Sequence, residues 1–140
     1  MKKVLFASAA LVGASFGAAA FAGSSSLSPE AAARLASFDR TGEKQQCLML
    51  SAVSEIKPLS DEIFLVRTGV NSWYLNEVRG SCDGAANAFT RLEYTTSTSS
   101  LCSLQIVRVV DNSSGILRGT CSLGEFERLT PKPKQPPAPK

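Results

Sequence analysis

The residues of this chain best equipped for covalent chemistry are four cysteines, Cys47, Cys82, Cys102 and Cys121. Four thiolates could ligate a metal, exchange with another disulfide, or close two bridges. Zinc sites draw on close pairs such as Cys-x-x-Cys, and thioredoxin-type redox centres need the same short spacing. The gaps here are 35, 20 and 19 positions, which leaves structural disulfides as the reading. The chain has no histidine. That excludes Ser-His-Asp and Cys-His nucleophilic sites and removes the commonest general base. Asp83, Glu77 and Asp111 stand near turns, where catalytic acids lie but so do most solvated ones. No spacing sets two of them across a sugar-sized cleft. Gly80, Gly84, Gly119 and Gly124 are too scattered to cradle a phosphate. No catalytic, cofactor-binding or metal-ligating residue is assigned, and no enzyme is expected. Trp73-Tyr74 is the one aromatic pair that could face outward as a binding surface, with one ring of the two turned to the core because strand neighbours take opposite faces.

The elements that must position the cysteines follow from the rest of the chain. Residues 1–22 read as a secretory signal: Lys2 and Lys3, an apolar run from Val4 to Phe16, then Ala20-Phe21-Ala22 as the cleavage site. The run falls short of the ~20 strongly apolar residues of a spanning helix, so no membrane anchor is expected after cleavage. The destination is the periplasm or the exterior, where disulfides persist. Residues 23–43 are a flexible leader and a short N-terminal helix. Ser28-Pro29-Glu30 supplies an N-cap, a proline at the first helical position and an acid in the first turn, and Ala31, Leu35 and Phe38 share one face.

Residues 44–129 form the disulfide-stapled β domain. Leu48, Leu50, Ala52 and Ile56 fall on one face of a first strand, ended by Lys57-Pro58. Segments 63–68 and 72–78 make a hairpin about Gly69-Val70-Asn71. Segment 89–96 alternates, and segments 105–110 and 116–121 pair across Asp111 to Gly115. The fold class is therefore mainly β, a small antiparallel barrel or sandwich of about six strands. Residues 130–140, rich in Pro and Lys, read as a disordered tail outside the sheet.

The formal charge of +3 resides at the two ends. Without Lys2, Lys3 and the tail lysines 132, 134 and 140 the folded part is about −2, which lacks the footprint that phosphate backbones require. Nucleic acid is not an expected partner. An envelope protein or a small ligand is.

Four cysteines allow three connectivities. The nested one, Cys47 with Cys121 and Cys82 with Cys102, is favoured because it would tie the first strand of a barrel to the last. Beyond them, Leu123 and Phe126 are three apart with Gly124 between. If both side chains are core residues, straight alternation fails. Gly124 is then expected to mark a bulge at an unusual φ, with Phe126 plugging one end of the barrel.

Cys47, Asn76-Glu77-Val78, Cys82-Asp83-Gly84, Leu101-Cys102 and Cys121-Ser122-Leu123-Gly124-Glu125-Phe126 together resemble a family of small exported proteobacterial proteins of unknown function. Its pattern reads Asn-x-Leu, Cys-x-Gly-Leu, Leu-Cys-x-Gly-Asp-x-Ile and Cys-x-Leu-Gly-x-Phe. The chain departs from it at Ala85, and at Leu104 and Gln105, which stand for Gly and Asp. The resemblance carries no activity, and the departures favour a structural role for the motif. The expected function is that of a non-enzymatic exported β domain with a structural or binding role in the envelope or outside it. The alternative is a small-ligand or protein-inhibitor module using the Trp73-Tyr74 hairpin.

Overall fold

The computed structural model describes residues 27–133. The signal segment, its cleavage site and most of the Pro/Lys tail lie outside the described residues. The one α-helix among the described residues, α1 (Pro29–Ala36), begins as its cap residues dictate: Ser28 is extended, and its Oγ accepts from the Ala31 N–H at 3.2 Å. It ends two residues before Phe38. That residue opens β1 (Phe38–Gln45) instead of extending the helix. The remaining strands are β2 (Cys47–Met49), β3 (Val53–Pro58), β4 (Ile63–Thr68), β5 (Ser72–Glu77), β6 (Thr90–Tyr94), β7 (Ser100–Cys102), β8 (Ile106–Asp111), β9 (Leu117–Ser122) and β10 (Phe126–Pro131). The two hairpins expected from turn residues, β4–β5 and β8–β9, are present in antiparallel register.

The strands form three sheets, a five-stranded one in the order β1-β10-β5-β4-β3, a three-stranded one in the order β6-β8-β9, and the β2-β7 pair. They do not close into a barrel. Among the described residues β3 and β6 each pair with one neighbour only, which leaves one side of the sandwich open there. On another side a bridge between Arg79 and Ser122 stitches the chain after β5 to β9. The main core gathers Phe64, Val66, Tyr74 and Phe126 from the large sheet with Val107, Val109 and Cys121 from the smaller one, and Leu48 and Leu101 of the β2-β7 pair join it. A second cluster, Ala31, Phe38, Leu59, Leu65, Leu75 and Leu129, seats α1 on the outer face of the large sheet. Alternation along β10 serves both: Phe126 and Leu129, an odd number apart, belong to opposite faces.

Among the described residues ten strands replace the expected six, and the differences have local causes. The first expected strand is broken by a 3₁₀ turn at Leu50–Ala52 into β2 and β3, which join different sheets. β1 escapes notice because it is an edge strand whose residues after Phe38 are all exposed, so no alternation is imprinted on it. The tail is not wholly outside the sheet. Thr130 and Pro131 pair with Asp39 and Phe38, and Lys132 N–H donates to Ser37 O at 2.9 Å. Proline is accepted there because it occupies the last position of the strand, beyond the β10–β5 pairing, which stops at Leu129.

The disulfides interleave and do not nest: Cys47 is bonded to Cys102 and Cys82 to Cys121. Cys47 and Cys102 are direct partners in the β2–β7 ladder, with Cα atoms 4.0 Å apart. The first and last strands need no covalent tie, because β1 and β10 are joined by hydrogen bonds. Loop-closure entropy assigns about 4 kcal/mol to each bridge, for sequence separations of 55 and 39.

Candidate binding groove

The sequence places a turn after Lys57-Pro58, and the side chains there build one wall of a groove. Leu59 anchors the turn in the cluster beneath α1. The Ser60 hydroxyl accepts from the N–H groups of Glu62 and Ile63 at 3.2 and 3.1 Å. Asp61 O accepts from Cys82 N–H at 2.8 Å and Glu62 O from Val78 N–H at 2.9 Å. The turn is thereby tied to the chain that carries the buried disulfide. The opposite wall is the flank of α1 that carries Glu30 and Arg34, and the space between is about 710 Å³.

Five charged side chains line this groove: Glu30, Arg34, Lys57, Asp61 and Glu62. Among the described residues none of them forms an ion pair. Arg34 is held differently, with its guanidinium 5.0 Å from the Trp73 ring centroid and 5.6 Å from that of Phe38. Charge on both walls that enters no ion pair among the described residues suits a charged segment better than an apolar ligand.

Trp73 and Tyr74 do not form an outward aromatic surface. Tyr74 is in the main core. Trp73 is half-buried against Phe38, ring centroids 5.3 Å apart, with Arg34 and Arg67 over it. Consecutive strand residues take opposite faces, and here both faces are covered. The ring supports the groove wall through Arg34 without lining the groove.

The three acids near turns are each occupied elsewhere. Glu77 pairs with Arg40 at 2.9 Å, and Asp83 accepts from the Ser81 hydroxyl. Asp111 organises its own turn. It accepts from the Ser113 hydroxyl at 2.6 Å, from Arg118 at 2.8 Å, and from the N–H groups of Ser114 and Ser113. These donors, Ser113 first, hold its carboxyl well below the usual range. Among the described residues no cluster of three metal-ligating side chains occurs.

Two arrangements had no signal in the sequence. Glu127 is a buried carboxylate on β10 that accepts from Arg40 of β1 and, at 3.2 Å, from Gly42 N–H. The Arg40 hydrogen bond outweighs burial and lowers its pKa, while Glu127 in turn raises that of Arg40. Asn76, fully buried, clasps the Gly124 peptide: its Nδ2 donates to Gly124 O and its Oδ1 accepts from Gly124 N–H, both at 2.9 Å. Each pairing links residues far apart in sequence through sheet register alone. Comparison with protein-family models, with curated proteins and with solved structures finds no match for this chain.

Proposed function

We propose that this protein is a non-enzymatic, exported binding module whose groove between α1 and the β3–β4 turn receives a charged segment of a partner in the envelope or outside the cell. The observation that carries the reading is the set of five lining charges with no ion-pair partner among the described residues. Three acids against two bases favour a segment with a cationic excess, bound with the salt sensitivity of exposed charge pairs. Two disulfides support an oxidising location. No helix among the described residues is long and apolar enough to cross a membrane. The resemblance to small exported proteobacterial proteins fits this location and is part of the same proposal.

Crosslinking of the protein to the envelope fraction of its host, compared between wild type and an Arg34→Ala/Asp61→Asn/Glu62→Gln variant, tests the groove. The variant is expected to lose the wild-type crosslinks while still melting cooperatively, a few degrees lower because Arg34→Ala removes the guanidinium from the Trp73 and Phe38 rings. Crosslinks that survive the triple substitution would remove the groove from the reading. Intact-mass measurement of the exported chain tests cleavage after Ala22.

A further inference from the structure

The open side of the sandwich is bounded by β3, a free edge of the large sheet, and β6, a free edge of the smaller one. Between them lies a second groove of about 360 Å³ whose apolar lining includes Val53, Ile56, Leu92 and Tyr94. Val53, Ile56 and Leu92 pack on the main core from this side and are only half-buried. The backbone direction of β3 can be read from its last ladder bond. Leu59 N–H donates to Ile63 O at 2.8 Å, so Leu59 and Ile63 are a hydrogen-bonded pair. Bonded and non-bonded pairs alternate in an antiparallel ladder. Lys57 and Glu55 therefore turn their polar groups toward β4, and Ile56 and Pro58 turn theirs to the open edge. Pro58 sits where its missing N–H leaves β4 unaffected.

The side chains flanking Ile56 are Glu55 and Lys57, both exposed and on the opposite face of the sheet from Ile56. An antiparallel strand centred on Ile56 with this same sequence sets Glu55 against Lys57 twice, once on each side of the centre. The edge is thus complementary in charge to itself. Lys57 and Pro58 discourage pairing with an arbitrary strand, yet in this one register the lysine meets an acid.

We propose that β3 is a homodimer edge, on which a second copy of this chain adds its own β3 antiparallel about a twofold axis at Ile56. The two Ile56 residues exchange their free N–H and C=O groups across the axis, and Glu55 of each copy faces Lys57 of the other. The incoming Ile56 side chain lies on the inner face, over the groove between β3 and β6, and shields the half-buried edge of the core. The two large sheets become one of ten strands. A twofold axis perpendicular to that sheet leaves both α1 helices on the same face. Lys57 also lines the α1 groove, so the two proposals share that residue, and a mass readout that needs no groove partner keeps their failures distinguishable.

The test uses the disulfide-bonded chain in low salt, with sedimentation equilibrium and native mass spectrometry. Wild type is expected to be dimeric. Glu55→Lys and Lys57→Glu each set like charges opposite one another, and each is expected to weaken the dimer by about tenfold or more. The double variant Glu55→Lys/Lys57→Glu restores the alternation and is expected to recover most of the wild-type affinity, falling short only by the loss of the Glu55–Arg67 pair, 3.6 Å apart within each copy. An equimolar mixture of the two single variants should form the heterodimer in preference to either homodimer. Far-UV circular dichroism and melting of each variant confirm that the monomer is folded, since these side chains are exposed. A wild-type protein that is monomeric at every accessible concentration would overturn the proposal. So would single variants that dimerise as well as wild type, or a double variant no better than the singles.

Discussion

Gly124 illustrates how a single position can be required for space and not for conformation. Its φ is not in the left-handed region, but a Cβ built on it would stand 2.0 Å from Glu77 O. The clasp by Asn76 draws the peptide this close to β5. Gly124→Ala is therefore expected to cost about 3 kcal/mol through overpacking, read as a lower denaturant midpoint under oxidising conditions. The expected bulge at an unusual φ is replaced by a close crossing, as the chain leaves β9 and enters β10 in another sheet. Phe126, just beyond, is fully buried between the sheets, and Phe126→Ala is expected to cost about 3–5 kcal/mol in the same assay. Leu104 is the converse case. It is the one non-glycine residue among those described with positive φ, at 67°, and its side chain is exposed. It occupies the place where the resembled pattern has Gly. Leu104→Gly is expected to raise stability by about 1 kcal/mol, because the conformational strain goes and little contact goes with it.

At the scale of elements, the two disulfides do different jobs. Cys82 and Cys121 are buried in the main core, and their bond pins β9 to the chain that supports the β3–β4 turn. Cys47 is exposed, and its bond with Cys102 clips a short ladder at the end of the sandwich. Thiol–disulfide exchange requires in-line access of a thiolate to sulfur. Graded dithiothreitol with alkylation and mass mapping is thus expected to open Cys47–Cys102 first, with Cys82–Cys121 persisting until the fold is lost. Simultaneous opening of both bonds in native buffer would contradict that order.

For the whole molecule, acid is the sensitive direction. Glu127 and Asp111 have pKa values below their ordinary 4.5 and 3.8. A depressed carboxylate binds protons more weakly in the folded than in the unfolded chain, so its contribution is complete above the unfolded value and lost as pH falls through the folded one. Stability is expected to be flat above about pH 5 on this account and to decline below about pH 4.5. Because Arg40 is half exposed, its pairing with Glu127 is screened by solvent, and Glu127→Gln should cost only about 1 kcal/mol at pH 7. The check is the pH dependence of the denaturant midpoint from 7 to 3, which should be shallower in Glu127→Gln than in wild type.

The helix start, the two hairpins and the mainly β class were legible in the residues, because caps, turn glycines and alternation act over a few positions. Ser28-Pro29 and the Gly69 turn are set by local sterics that any surroundings would respect. The burial of Phe126 was legible too, as an apolar residue beyond an alternating strand. Other features depended on which strands meet. β1 carries no apolar alternation, and only its register with β10 makes it a strand. That register consumed Phe38, Thr130 and Pro131, which locally read as helix and tail. The disulfide pairing followed in turn: once β2 lies beside β7, Cys47 can reach only Cys102. The groove charges, the Arg40–Glu127 pair and the Asn76–Gly124 clasp were equally invisible, since each joins segments tens of residues apart. Local propensity is written along the chain, whereas register is a choice among many nearly equal pairings that only the packed core resolves.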